Sequence, residues 1–221
     1  MLVDLSHTIR AGLVTYPGLP APSIQPHLTR EASREVYAAG TEFAMDTITM
    51  IGNTGTYIDS PFHRFADGAD LAGLDLATLV DLPTVVVRHR DVTARSVEAI
   101  ELPDTIARGS AVLIDTGWDR HFGTPAYGVD APFLSEQAAE RLVDCGVALV
   151  GIDSVNIDDS SAASAGRRPI HTTLLRHGIH VVEHLTNLAA LPDHGARFTA
   201  VPPRVEGFGT FPVRAYARVP D

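Results

Sequence analysis

A single cysteine, Cys145, is all the thiol this chain carries, so no internal disulfide can form and no thiolate metal cluster can assemble within one copy. Positive charge is scarce as well. Seventeen Lys and Arg stand against 27 Asp and Glu, a formal net charge of -10, and the summed field repels phosphate backbones and anionic lipid surfaces. Neither nucleic acid nor a membrane surface is an expected partner. No run of about 18 apolar residues occurs to cross a bilayer. The opening Met1-Leu2-Val3-Asp4-Leu5-Ser6-His7 sets an acid and a histidine where a secretory leader needs a basic end and an apolar stretch, so a cytoplasmic location is expected. Internal repeats, low-complexity tracts and linker-like charge runs are missing too. So are a G-x-S-x-G elbow, a glycine-rich phosphate loop and an H-E-x-x-H helix. Ser60 lies beside Pro61 and reads as a turn residue rather than as a nucleophile for His63.

What is present is a chain of 221 residues, 45% hydrophobic, enough for one domain over residues 1–221 with a substantial core. Apolar β-branched runs alternate with helical patterns through its middle, which predicts an α/β fold. Thr84–Val87, Ala111–Asp115 and Val147–Asp153 read as buried strands. Between the last two, a helix is expected from Ser135, which offers an N-cap oxygen, to Gly146, which tolerates a left-handed exit; Ala139, Leu142 and Val143 form its inward stripe and Cys145 is a packed thiol at its end. A shorter helix over Ile170–His177, between Pro169 and Gly178, feeds the strand Ile179–Glu183. The first sixty residues are richer in Pro, Gly and Thr and read as strands and loops framing a mouth. Small residues crowd the stretch from Asp158 to Arg168, a surface loop that can act as a lid bringing Arg167 or Arg168 to an anionic substrate group.

Chemistry concentrates between Asn53 and His63. With residues 55–59 extended, Tyr57 and Asp59 face one way while Ile58 turns into the core; Pro61 ends the strand, and the turn beyond it folds His63 back toward Asp59. A hard carboxylate beside an imidazole suits Zn²⁺, Mn²⁺ or Fe²⁺, ions that bring bound water toward neutral pKa. Of the other histidines, His7 reads as a structural hydrogen-bonding residue. His177, His180 and His184 are not taken as a ligand cluster, since strand alternation sends His180 and Glu183 to opposite faces.

The segment Asn53-Thr54-Gly55-Thr56-Tyr57-Ile58-Asp59-Ser60-Pro61-Phe62-His63 resembles H-x-G-T-H-x-D-x-P-x-H, the mark of the cyclase family that includes bacterial kynurenine formamidase and isatin hydrolase. Gly55, Thr56, Asp59, Pro61 and His63 match, while Asn53 and Tyr57 stand at the two leading histidine positions. The resemblance extends to Asp4-Leu5-Ser6-His7, Tyr16-Pro17-Gly18, the Val112–Trp118 strand and turn, Gly151–Asp158, His171 followed twelve residues later by Glu183, and the closing Gly207–Ala215 strand. It implies a swivelling β/β/α architecture and a homodimer or higher oligomer. Carried over residue by residue, it implies that Asp59, His171 and Glu183 hold one divalent ion, Zn or Mn, because the partners of a second ion are replaced. His63 then has an acid–base role and Tyr57 polarises a carbonyl, with Asn53, Tyr16, Trp118 and Arg167 against a small aromatic substrate. The activity so implied is hydrolysis of an amide or lactam. The same site on a polyketide-like metabolite would make a cyclase or dehydratase, and loss of the metal would leave a ligand-binding protein.

Overall fold

The computed structural model describes residues 1–90 and 92–220. In chain order its strands are Leu2–Asp4 (β1), Ser23–Leu28 (β2), Met45–Thr49 (β3), Tyr57–Asp59 (β4), Leu82–Arg88 (β5), Ser96–Val97 (β6), Ala111–Asp115 (β7), Phe133–Leu134 (β8), Leu149–Ile152 (β9), His180–Glu183 (β10), His194–Thr199 (β11), Thr210–Pro212 (β12) and Tyr216–Arg218 (β13). The helices are Arg30–Ser33 (α1), Glu136–Cys145 (α2) and Pro169–Arg176 (α3). Nine strands form one sheet in the order β1-β13-β11-β5-β7-β9-β10-β4-β12. Its centre, β5-β7-β9-β10, is parallel and both flanks are antiparallel, so the fold is α/β with a large mixed sheet.

The parallel centre is apolar on both faces, as a sheet covered on both sides requires. Alternation splits β7 cleanly. Val112 and Ile114 join the helix-side core with Leu142 of α2 and Leu174 of α3, while Ala111 and Leu113 join the opposite core with Leu5, Ile58 and Phe198. Ser135 accepts from the Ala138 amide at 3.1 Å and starts α2, and Gly146, at φ 66°, ends it. Pro169 is the first residue of α3 rather than its preceding one, since a proline lacks only an amide that has no helical partner there.

Two expectations need adjustment. The strand expected over 55–59 begins at Tyr57, because Gly55 sits at φ 66° with its amide on the Thr15 hydroxyl at 2.7 Å. The 158–168 stretch is a tied turn rather than an open loop: Asp159 pairs with Arg95 at 2.8 Å and accepts from the Ser161 amide, and a 3-10 turn covers Ala162–Ser164. In the N-terminal half, β2 and β3 pair only with each other and form a ribbon exposed along nearly its whole length, with Ile24, Met45 and Ile48 open to solvent and exposed Phe43 just before β3. No helix among the described residues is long and apolar enough to cross a membrane.

His180 opens β10 with its ring buried, Nε2 on the Thr78 hydroxyl at 2.9 Å and Nδ1 without a partner. Burial depresses its pKa from 6.5 to about 4. With the folded value below the unfolded one, the group's contribution is intact above about pH 6.5 and is lost as pH falls toward 4, at about 1.4 kcal/mol per pH unit. Urea unfolding of His180→Gln between pH 7 and 4.5 should show a shallower acid decline than the parent chain by that slope; parallel declines would show that His180 does not titrate on unfolding.

Candidate active site

One stretch of strand register assembles most of the site. In the antiparallel pairing of β10 with β4, Tyr57 lies opposite Glu183 and Asp59 opposite Val181; in that of β4 with β12, Asp59 lies opposite Thr210. Paired residues share a face, so Tyr57, Asp59, Glu183 and Thr210 all point to the side carrying α3, while Ile58, Val182 and Phe211 point to the other core. Helix α3 then lowers His171 onto this patch. His171 Nε2 stands 3.5 Å from Asp59 Oδ2 and 3.6 Å from Glu183 Oε1, and one ligand atom from each of the three lies within 4.8 Å of the others.

The protons around these groups can be assigned by elimination. Asp158 accepts at 2.6 Å from His171 Nδ1, and also from the Ile170 and His171 amides at 2.7 and 3.1 Å, so one carboxylate both caps α3 and holds the ring with Nε2 facing the two acids. The Thr210 hydroxyl donates its only proton to Asp59, which leaves its oxygen to accept Nδ1–H of His63 at 2.7 Å. With Nδ1 so engaged, His63 Nε2 makes no hydrogen bond to a described residue, on a side chain 36% exposed that lines the cleft. Gly209 permits this fit, since a Cβ there would stand 2.5 Å from the His63 backbone nitrogen. Glu183 accepts from the Ile157 amide at 2.7 Å and from the Tyr57 phenol at 2.6 Å. Asp59 Oδ2 is buried with no hydrogen-bond partner at all.

This arrangement calls for a cation. Burial pushes the Glu183 carboxyl up to about 7, with Asp59 adding to the effect. Burial works the same way on Asp59, but the close approach of His171 Nε2 and the charge of His63 and His171 outweigh it and hold that carboxyl below the usual range. His171, despite the desolvation that opposes its charged form, is pulled up to about 10 by Glu183, Asp158 and Asp59. The acids thus hold a positive charge at the position of Nε2, and the donor set of one imidazole and two carboxylates with an orphaned oxygen fits a divalent ion. Tyr57 keeps its proton among these acids: burial, then Glu183 and Asp59, push its pKa well above 10. Its proton goes to Glu183 rather than to a substrate carbonyl, and Asn53 hydrogen-bonds the same phenol. The two residues at histidine positions therefore fill that corner with neutral groups.

The cleft above the patch encloses about 290 Å³ and is lined by Tyr16, Leu19, Asn53, Tyr57, His63, Arg64, Asn156, Arg168, His171 and Glu183. Trp118 is not among these. Its indole donates to the Tyr127 carbonyl at 2.8 Å, in a cluster with Tyr127, Ala131 and Val155, so it packs instead of facing the cleft. Arg167 turns away as well, donating to the Ser164 carbonyl at 3.2 Å and lining a separate cavity of about 520 Å³ beyond Asp158, while its neighbour Arg168 faces the cleft. His7 stacks on Phe122 at 3.6 Å with Nε2 buried and unpartnered, so its ring is held by stacking rather than by a hydrogen bond at that atom. His184 lies behind the patch, its Nδ1 on the Tyr127 phenol at 2.8 Å. Arg64, Asn156, Asp158 and Thr210 acquire places that sequence reasoning did not give them. Asp158 and Asn156 stand in a recognised segment, yet nothing local tells that Asp158 reaches thirteen residues ahead. Replacing Asp158 by Asn keeps the side chain's shape and removes its ability to fix the Nδ1–H tautomer. Affinity for zinc, measured by chelator competition with helicity followed in parallel, should fall about 10- to 100-fold; unchanged affinity would show that His171 is oriented by other means.

Residues 3–159 match the Cyclase family model. Kynurenine formamidase of Bacillus cytotoxicus is 29% identical over 220 residues, covering 98% of this chain and 96% of that protein. Among solved structures, an isatin hydrolase bound to the product analogue thioisatinate superposes with a TM-score of 0.83 at 23% identity, covering 100% of this chain and 92% of that one, and so shares the fold. A structure described as a potential metal-dependent hydrolase with cyclase activity superposes with a TM-score of 0.78 at 25% identity, covering 100% and 99%. The family match spans well over half of the chain, over the segment that holds Asn53 to His63 and ends one residue past Asp158, and the chain is a member of the cyclase family.

Proposed function

We propose that the chain is a metal-dependent hydrolase that opens an amide or lactam bond in a small aromatic compound. Asp59, His171 and Glu183 would hold one divalent ion, zinc or manganese, with Asp158 fixing the His171 ring. An ion in that position supplies an acidified water and a Lewis acid for a carbonyl. The remaining work falls to the chain's own groups. His63 Nε2, freed by the Thr210 contact to Nδ1, takes a proton from the attacking water and returns it to the departing nitrogen. Asn156, 8% exposed and lining the cleft, offers an amide to orient the substrate carbonyl, and Tyr16 and Leu19 give an aromatic ring its apolar wall. Tyr57 acts through Glu183, whose Oε2 it holds in place.

The observation that carries this reading is the pairing of a three-residue donor set, one of its oxygens orphaned, with a half-exposed imidazole whose free nitrogen faces the same cleft. The kynurenine formamidase relatives supply the reaction class by similarity. Metal analysis and turnover of an N-formylated arylamine, measured on the same preparations, test it. About one equivalent of ion per chain is expected. His63→Ala should retain the ion while losing at least about 100-fold in turnover, and Asp59→Asn should lose both. Equal loss of ion and turnover in His63→Ala would move His63 into the ligand shell, and a chain that binds no ion and turns nothing over would be a binding protein.

A homodimer belongs to the same reading. The β2–β3 ribbon has neither face on its own core, and a two-stranded ribbon has little stability alone, so a second copy is the cover we expect for Ile24, Phe43, Met45 and Ile48. Light scattering should give twice the chain mass, shifting toward one when Ile24 and Ile48 are both replaced by Ser; a monomeric parent chain would refute the assignment.

A further inference from the structure

We infer that Arg64 and Arg168 form an anion-recognition subsite at the mouth of the cleft, and that the substrate carries a carboxylate or a similar anionic group besides its scissile bond. The inference rests on the hydrolytic reading of the cleft and narrows its substrate class.

Arg64 and Arg168 both line the cleft. Arg64 follows His63 at the end of the short turn after β4, and Arg168 is the residue that precedes α3. One side chain links them. Thr172, in the first turn of α3, donates its hydroxyl to the Arg168 carbonyl at 2.7 Å and accepts from Arg64 Nε at 3.2 Å. Arg168 is braced in turn by Nη1 contacts to the carbonyls of Asp159 at 3.3 Å and Arg167 at 2.8 Å. Each guanidinium thus keeps N–H groups beyond these contacts that no described residue accepts, and which a ligand anion could take up.

Neither of them is spent on a carboxylate. Among the described residues eight arginines pair with carboxylates, Arg88 and Arg90 on Asp115, Arg95 on Asp159, Arg197 and Arg218 on Asp81 and Arg214 on Asp4 among them; of the unpaired ones, only Arg64 and Arg168 line the cleft. Among the described residues Arg64 and Arg168 have no such partner within ion-pair distance, although 27 acidic side chains are available in the sequence. Two like charges held close to one opening repel each other, and a ligand anion that both can contact relieves the repulsion. The floor of the cleft is different in kind: Asp59 and Glu183 repel an anion there until a cation stands among them. The charge pattern therefore orients a substrate, with its anionic end at the rim and its scissile carbonyl toward His63 and His171. A neutral lactam would leave the arginines unused.

Binding without turnover tests this separately from hydrolysis. The matched probes are 4-phenylbutyrate and 4-phenylbutanol, which have no amide, titrated calorimetrically into the full chain carrying its metal. The parent chain should bind the carboxylate at least about tenfold more tightly than the alcohol, with a preference that shrinks as salt is raised. Arg64→Gln and Arg168→Gln should each lower the preference, and the double variant should abolish it while its metal content and the affinity for the alcohol stay as they were. No preference in the parent chain, absence of binding by either probe included, would overturn the subsite. So would a preference that persists in the double variant, since the carboxylate would then be sitting on the metal. If turnover fails but the preference and its loss are seen, the hydrolytic reading falls and the anion subsite stands.

Discussion

Three carboxylates, Asp59, Asp158 and Glu183, are buried around a single imidazole, and the surrounding structure is organised by the need to neutralise them. Ionised acids are costly to remove from water unless hydrogen bonds or opposite charge replace hydration. Donors come from every direction: the Thr210 hydroxyl to Asp59, the Ile170 and His171 amides to Asp158, the Ile157 amide and Tyr57 phenol to Glu183. They satisfy every carboxylate oxygen in the group except Asp59 Oδ2. The remaining deficit is one of charge, which a proton on His171 meets in part and a divalent ion among the three ligands would meet more fully.

The fold delivers those donors by joining two kinds of sheet. The parallel centre ends at β10, and β4 and β12 continue it antiparallel, so short strands from remote parts of the chain meet with side chains directly opposite. Register is stringent here. A slip of one residue in β4 would bring Ile58 to the polar patch and send Tyr57 and Asp59 into a core built of Leu5, Leu113 and Phe198. Because Ile58 and Val182 anchor the apolar side, the same packing that stabilises the sheet also sets the site.

Asn53 and Tyr57 alter the balance of the site relative to a pattern with histidine at both positions. Two imidazoles would add basic ligands. An amide and a phenol that stays protonated add neutral contacts, and the phenol takes up one Glu183 oxygen. Two acids and one imidazole offset little of the repulsion between two adjacent divalent ions, which supports the single ion proposed for this site.

Local chemistry was enough to read the helix between Ser135 and Gly146, the buried strands at Ala111–Asp115 and around Val150, and the short helix carrying His171, because caps, left-handed exits and apolar runs act over a few residues. The opposite faces taken by His180 and Glu183 in one strand were legible for the same reason, while the Asn53–His63 segment was legible through its likeness to a family motif. Contacts across long separations were not. Tyr57 reaches Glu183 across 126 positions and Thr210 reaches Asp59 across 151, and no spacing rule encodes such meetings. Arg167 and Arg168 are neighbours of identical chemistry, and only the direction of the chain entering α3 sends one to the cleft and the other away from it. Residue types and their local order thus determined which groups were available for chemistry. Which of them meet, which proton each one holds and which are left over was decided by tertiary packing, because hydrogen bonds and charge act over a few ångströms in space wherever those ångströms fall along the chain.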